Sequence, residues 1–200
     1  MQYIAQAILQ GHAAGDGPFT RTAQNFLEET TGAARVLLTT SCTHALEMAA
    51  LLLDIAPGDE VIVPSYTFVS TANAFALRGA SIRFADVSSC TLNMNPDHVA
   101  QLLSPRTKAI VPVHYAGVGC EMERLVPMAA DRGIALVEDN AHGLFGTFRG
   151  QHLGTFGTLA TLSFHETKNL TCGEGGALMI NDPTLVERAE IIREKGTNRS

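Results

Sequence analysis

Basic residues are few and scattered. The 14 Lys and Arg stand against 20 Asp and Glu, a formal net charge of −6, and no run of Lys or Arg forms the stripe that a phosphate backbone requires. Nucleic acid is therefore not an expected partner. Long apolar runs are missing too. The most apolar stretches, residues 45–55 and 109–113, fall well short of the roughly 20 residues needed to cross a bilayer, so no membrane partner is expected. The N-terminal segment lacks the basic flank and continuous apolar core of a signal peptide and reads as a short amphipathic helix ending at Gly11. The four cysteines, Cys42, Cys90, Cys120 and Cys172, form no CxxC pair, and reduced thiols of a cytoplasmic protein are the expectation.

Motif absences narrow the chemistry further. The chain carries no GxSxG elbow, no Walker loop and no HExxH, and its seven His have no metal-ligand spacing, so neither a hydrolase nor a metal site is expected. The glycines of CGEGGA, residues 172–177, do not follow GxGxxG and precede a strand instead of opening a helix, which disfavours a dinucleotide fingerprint. No internal repeat, low-complexity tract or linker divides the chain.

What remains is a 200-residue, 21.3 kDa chain with 46% hydrophobic content, enough for one domain with a real core. Apolar runs of strand length alternate with stretches of helical periodicity, the pattern of an α/β domain whose largely parallel sheet carries helices on both faces. Strands are predicted at 35–39, 60–63, 81–84, 109–113, 134–138, 159–164 and 176–180. Helices are predicted at 19–31, 43–54, 68–78, 96–103, 121–132 and 183–195. Start signals are a Ser-Cys pair before Thr43, Asn95 before Pro96 and Asp182 before Pro183.

In such sheets ligands sit beyond the carboxyl ends of the strands. The residues there are Ser41-Cys42-Thr43, Ser65-Tyr66-Thr67-Phe68, His114-Tyr115, Asp139-Asn140-Ala141-His142 and the segment from Ser163 to Lys168. Lys168 follows a predicted strand and precedes the glycine-rich loop. A partly buried lysine of this kind can form a Schiff base with an aldehyde cofactor, and pyridoxal phosphate enzymes pair such a lysine with a carboxylate on the pyridine nitrogen. Asp139 is the candidate carboxylate, although Glu138 or Asp139 could equally cap the following turn. His142 could meet the cofactor's phenolic oxygen, and Phe68 could lie on the ring or belong to the core. Cys42 and Thr43 offer backbone N–H groups to a phosphate at a helix N-terminus, where the same residues also make a good cap, and Ser163 could add a hydroxyl.

Taken in order, GDGPFT, SCTHAL, GDEVIVPSYTFVSTANA, VPVHYAG, VEDNAH, SFHETKN and EGGAL resemble the fold-type I pyridoxal phosphate enzymes of the DegT/DnrJ/EryC1/StrS group, which aminate keto-sugar nucleotides. The resemblance implies Lys168 as the residue linked to the cofactor and as the proton shuttle, Asp139 on the pyridine nitrogen and His142 beside the phenolic oxygen. It also implies Phe68 stacked on the ring, with Cys42, Thr43 and Ser163 around the phosphate. The implied reaction takes the amine of glutamate to a nucleotide-activated 4-keto-6-deoxy sugar, dTDP-4-dehydro-6-deoxy-D-glucose. Some relatives are dehydratases with His in place of this lysine, so Lys168 argues for transamination. A non-catalytic pyridoxal phosphate sensor is the alternative of a different class. Family members extend further at both ends, into a smaller C-terminal domain and a homodimer whose neighbouring subunit reaches the phosphate. The expectation is that residues 1–200 are the large domain of a longer enzyme and are inactive alone.

Overall fold

The computed structural model describes residues 2–11 and 15–198. Its central feature is a seven-stranded sheet in the order β1-β9-β8-β5-β4-β2-β3. The strands are β1 (Arg35–Thr39), β2 (Glu60–Pro64), β3 (Ser81–Ala85), β4 (Thr107–Ile110), β5 (Ala135–Asp139), β8 (Leu159–Ser163) and β9 (Gly176–Ile180). All pair in parallel except β9, which runs antiparallel to both β1 and β8. A separate two-stranded hairpin, β6 (Thr147–Phe148) and β7 (Gln151–His152), lies between β5 and β8 in the chain.

Strands covered on both faces need no polar alternation. Thus Val61, Ile62 and Val63 of β2 are all fully buried, and successive side chains serve opposite cores. Val61 and Val63 pack with α3 (Cys42–Leu52) and α4 (Val69–Ala76) on one face, where α7 (Val186–Arg193) also docks. Ile62 packs with α5 (Pro96–Leu102) and α6 (Met122–Ala130) on the other. A third cluster joins α2 (Pro18–Thr31) to the β1, β8 and β9 end through Leu27, Val36, Leu162 and Met179. Helix α1 (Gln2–Leu9) has no buried residue.

The sheet matches the expected α/β class and the strand positions. Several boundaries shift by a few residues, and in four places the physical reason is plain. The run 109–113 ends its ladder at Ile110, because Pro112 has no N–H to give; Val111 still donates to Ile62 O at 2.8 Å. Helix α3 starts at Cys42 and not Thr43, since Ser41 is the cap and accepts the His44 N–H at 3.2 Å. Phe68 does not begin its helix but caps it in extended conformation, φ −73° and ψ 147°. The predicted helix 183–195 opens as a 3₁₀ turn, Pro183–Leu185, with Asp182 accepting the Thr184 N–H, and only then becomes α7.

Candidate active site

The carboxyl ends of the parallel strands surround a cleft of about 590 Å³. All seven residues assigned to the cofactor in the sequence line it: Cys42, Thr43, Phe68, Asp139, His142, Ser163 and Lys168. Their supports differ. Cys42 and Thr43 form the first turn of α3, where backbone N–H groups have no intrahelical acceptor. That turn is seated against the start of β9: a Cβ on Gly176 would lie 2.3 Å from the Ser41 carbonyl carbon and 2.4 Å from the Cys42 nitrogen. Only glycine permits this approach, which gives the EGGAL stretch a structural purpose.

The Cys42 thiol turns away toward β8 and donates to Thr161 Oγ1 at 3.4 Å. Burial, and then the nearby Asp139 carboxylate, push it above the ordinary thiol range, so it stays protonated and unreactive. What Cys42 presents to an anion is its amide. Thr43 Oγ1 lies 2.7 Å from Ser70 Oγ, while Ser163 Oγ accepts the His165 N–H at 3.4 Å.

Asp139 closes β5 with only 4% of its surface exposed, and that remainder faces the cleft. Its Oδ2 accepts the Thr71 hydroxyl at 2.7 Å and its Oδ1 the Ala141 N–H at 3.2 Å. It therefore does cap the next turn, and it does so while lining the cleft. The neighbouring Glu138 plays a different part. It is fully buried and accepts N–H groups of Gly154, Phe156 and Gly157 at 2.7–2.8 Å. A fourth bond joins it to His114 Nε2 at 2.8 Å. His114, expected at the ligand edge, is thus withdrawn into the interior; its Nδ1 accepts the Cys120 N–H at 3.1 Å, which leaves Nε2–H to donate to Glu138.

His142 Nδ1 accepts the Ala116 N–H at 3.1 Å. Its pKa is lowered, first by burial and then by the Lys168 charge, against the opposing pull of Asp139. The neutral ring so favoured has its proton on Nε2. Tyr115 packs edge-on against this ring at 5.1 Å and lies 4.5 Å from the Tyr66 ring. Hydrogen bonding to Tyr66, and then burial, raise the Tyr115 pKa. Phe68 is 72% exposed, a flat apolar surface held open at the cleft and not a core residue. Lys168 rides on an irregular loop, its N–H donating to His165 O at 3.0 Å.

Ser70, Thr71 and Glu174 were not singled out by sequence. Glu174 lines the cleft with its carboxylate 3.4 Å from His165 Nε2. Among the described residues no cluster of His, Cys, Asp and Glu could hold a metal ion, and no helix is long and apolar enough to cross a membrane.

The arrangement fits pyridoxal phosphate. Helix-terminal amides and hydroxyls at Cys42, Thr43 and Ser163 suit a dianion. A carboxylate, an open aromatic face and an amine converge on the remainder of the same cleft.

Known proteins share this fold. The chain is 36% identical over 200 residues to the spore coat polysaccharide biosynthesis protein SpsC of Bacillus subtilis (strain 168), covering 100% of this chain and 51% of that protein. It superposes on 3-amino-5-hydroxybenzoic acid synthase with a TM-score of 0.93 at 36% identity, over 98% of this chain and 52% of that one. DesI, crystallised in the presence of its TDP-sugar product, gives a TM-score of 0.92 at 31% identity, over 99% of this chain and 50% of that one. The chain spans about half the length of the curated relatives it matches. From residue 1 to residue 200 it matches one family's pattern, and it belongs to the DegT/DnrJ/EryC1/StrS aminotransferase family, whose members depend on pyridoxal phosphate.

Proposed function

We propose that this chain is the large, cofactor-holding domain of a transaminase that moves the amine of glutamate to a nucleotide-activated 4-keto-6-deoxy sugar, dTDP-4-dehydro-6-deoxy-D-glucose. The observation that carries the reading is the convergence of Lys168, a nearly buried Asp139 and the amide-rich N-terminus of α3 on one cleft. DesI, with its TDP-sugar product, supports the substrate class.

Bound in the cleft, pyridoxal phosphate supplies an aldehyde that carries the amine and a ring that takes up electron density from the substrate carbon. The amides of Cys42 and Thr43, with the Thr43 and Ser163 hydroxyls, hold the phosphate. Asp139 would hold a proton at the ring nitrogen, its two internal bonds keeping the carboxylate in one orientation. Phe68, open at the cleft, would pack on the ring and exclude water there. His142, neutral and with Nε2–H available, donates to the phenolic oxygen. Lys168 would hold the cofactor through its amine and, when that amine is free, would move a proton in the cleft.

The test uses the full-length protein with glutamate and the keto-sugar nucleotide. Formation of the amino sugar with loss of the glutamate amine supports the proposal. Cofactor uptake without amine transfer to any keto-sugar nucleotide would overturn it in favour of a non-catalytic pyridoxal phosphate sensor.

A further inference from the structure

We infer that Thr71 is a positioning residue that keeps the working proton on the cofactor's ring nitrogen instead of on Asp139; the inference rests on the cofactor reading above. Thr71 is fully buried and stands in a chain of three groups. Its Oγ1 is 2.7 Å from Asp139 Oδ2 and 2.7 Å from Thr67 Oγ1. Proton counting fixes the direction of both bonds. An ionised carboxylate can only accept, and a threonine hydroxyl has one hydrogen to give. Thr71 therefore donates to Asp139, and Thr67, on the cleft wall, must donate to Thr71.

Such a chain has an electrostatic consequence. A hydrogen bond given to the charged form of a carboxylate stabilises that form and lowers its proton affinity, and a hydroxyl that is itself receiving a bond donates more strongly. With the cofactor bound, Asp139 would share one proton with the ring nitrogen. With Thr71 and Thr67 donating in series, that proton stays on the partner. Without them, the carboxylate competes for it, and the ring becomes a poorer electron sink.

The same turn of α4 also reaches the other end of the site. Ser70, next to Thr71 and also buried, lies 2.7 Å from the Thr43 hydroxyl on α3. Residues 67–71 thus tie the acid end of the cleft to its phosphate end through adjacent side chains of one short helix. Phe68 caps that helix, so the ring-facing aromatic is carried by the same element.

The test is a comparison of Thr71→Val, Thr71→Ser and Thr67→Val in the full-length protein loaded with pyridoxal phosphate labelled with ¹⁵N at the ring. In Thr71→Val the ring ¹⁵N resonance should move toward that of a neutral pyridine. Its kcat should fall about tenfold, with the KM for glutamate changed less than about twofold. Thr71→Ser, which keeps the hydroxyl, should restore both the resonance and kcat. Thr67→Val should move the resonance the same way by less, and it carries the test, with Thr71→Ser, should Thr71→Val fail to fold. An unmoved resonance in a folded Thr71→Val protein overturns the inference. So does Thr71→Ser behaving like Thr71→Val, which would assign Thr71 a packing role through its methyl group. A wild-type protein that takes up no pyridoxal phosphate would overturn the cofactor reading itself, and is distinguished by the absence of any bound resonance.

Discussion

Asp139 and Lys168 line one cleft from opposite kinds of support. Asp139 ends a central strand in which positions 136–139 are all buried, and its neighbours are tied in as well: Glu138 by four bonds, and Asn140 through Nδ2 to Leu153 O at 2.9 Å. Lys168 sits between exposed residues Thr167 and Asn169, in a loop held by a few bonds such as Cys172 N–H to Phe164 O at 3.0 Å. Few buried contacts and exposed backbone bonds mark a segment that opens locally at low cost. The difference fits the work proposed for each. A group that fixes a charge gains from immobility, whereas an amine that must detach and then carry a proton gains from a support that yields.

The largest effect that would sharpen this contrast belongs to Lys168→Ala. Loss of the Lys168 amine from the cleft should reduce turnover by about a thousandfold or more. The unfolding midpoint should move by no more than about 2 °C, since the loop contributes little to the core. Borohydride reduction followed by mass spectrometry should find no pyridoxyl adduct; an adduct on another lysine would end the assignment.

On the rigid side the expected loss is of stability. Glu138→Ala would leave three N–H groups, two of them buried, and the buried His114 ring without their acceptor, at a cost of about 3 kcal/mol or more. Chemical unfolding measures this, and a loss below about 1 kcal/mol would show that the loop carrying Gly154 and Gly157 is held by something else. Asp139→Asn should be milder in fold and sharper in chemistry. The amide still accepts the Thr71 hydroxyl, so cofactor is retained, but turnover should drop about a hundredfold because no carboxylate remains to hold the ring proton. Single-turnover amine transfer within a few-fold of wild type would contradict it.

The same contrast explains what was legible in the sequence. Most strands of the large sheet announce themselves as apolar runs of strand length, helical stretches separate β1 through β5, and the ligand edge follows from topology alone. Asp139, Lys168 and their companions could be picked out because they sit just past those strands. The hairpin β6–β7 was invisible: strands of two residues have no periodicity to read. The antiparallel direction of β9 was equally hidden, since apolar runs do not encode direction. His114 and Glu138 illustrate a deeper limit. Each stands beside a cleft residue in the chain, Tyr115 and Asp139 respectively; Glu138 faces inward because a strand sends successive side chains to opposite sides, and His114, just before the turn Tyr115–Gly117, is drawn in by its bonds to Glu138 and Cys120. Which of two adjacent polar residues faces the ligand is settled by tertiary packing. Thr71 was missed because a hydroxyl in the first turn of a helix reads as a capping or solvent residue, and only the fold brings Asp139 to it across 68 positions of sequence.

The smallest expected effect concerns His142, which stands between the two supports and feels both charges. Its folded pKa lies below the ordinary value of 6.5 because of burial and then Lys168, with Asp139 opposing. The unfolded chain therefore takes up this proton first as the solution is acidified. From pH 6.5 down to the folded value the unfolded state binds more protons, so stability falls over that window; above it His142 contributes no pH dependence. His142→Gln provides the comparison, because an amide can still accept the Ala116 N–H and donate into the cleft but does not titrate. The difference in unfolding midpoint, wild type minus variant, should be flat at alkaline pH and should decline as the pH drops below about 6.5. The pair Lys168→Ala and Lys168→Ala with His142→Gln then isolates the cause. Removing the Lys168 charge should shrink the decline, and leave the part due to burial. A decline that is unchanged without Lys168 would show that the loop and the strand end do not communicate electrostatically through this imidazole.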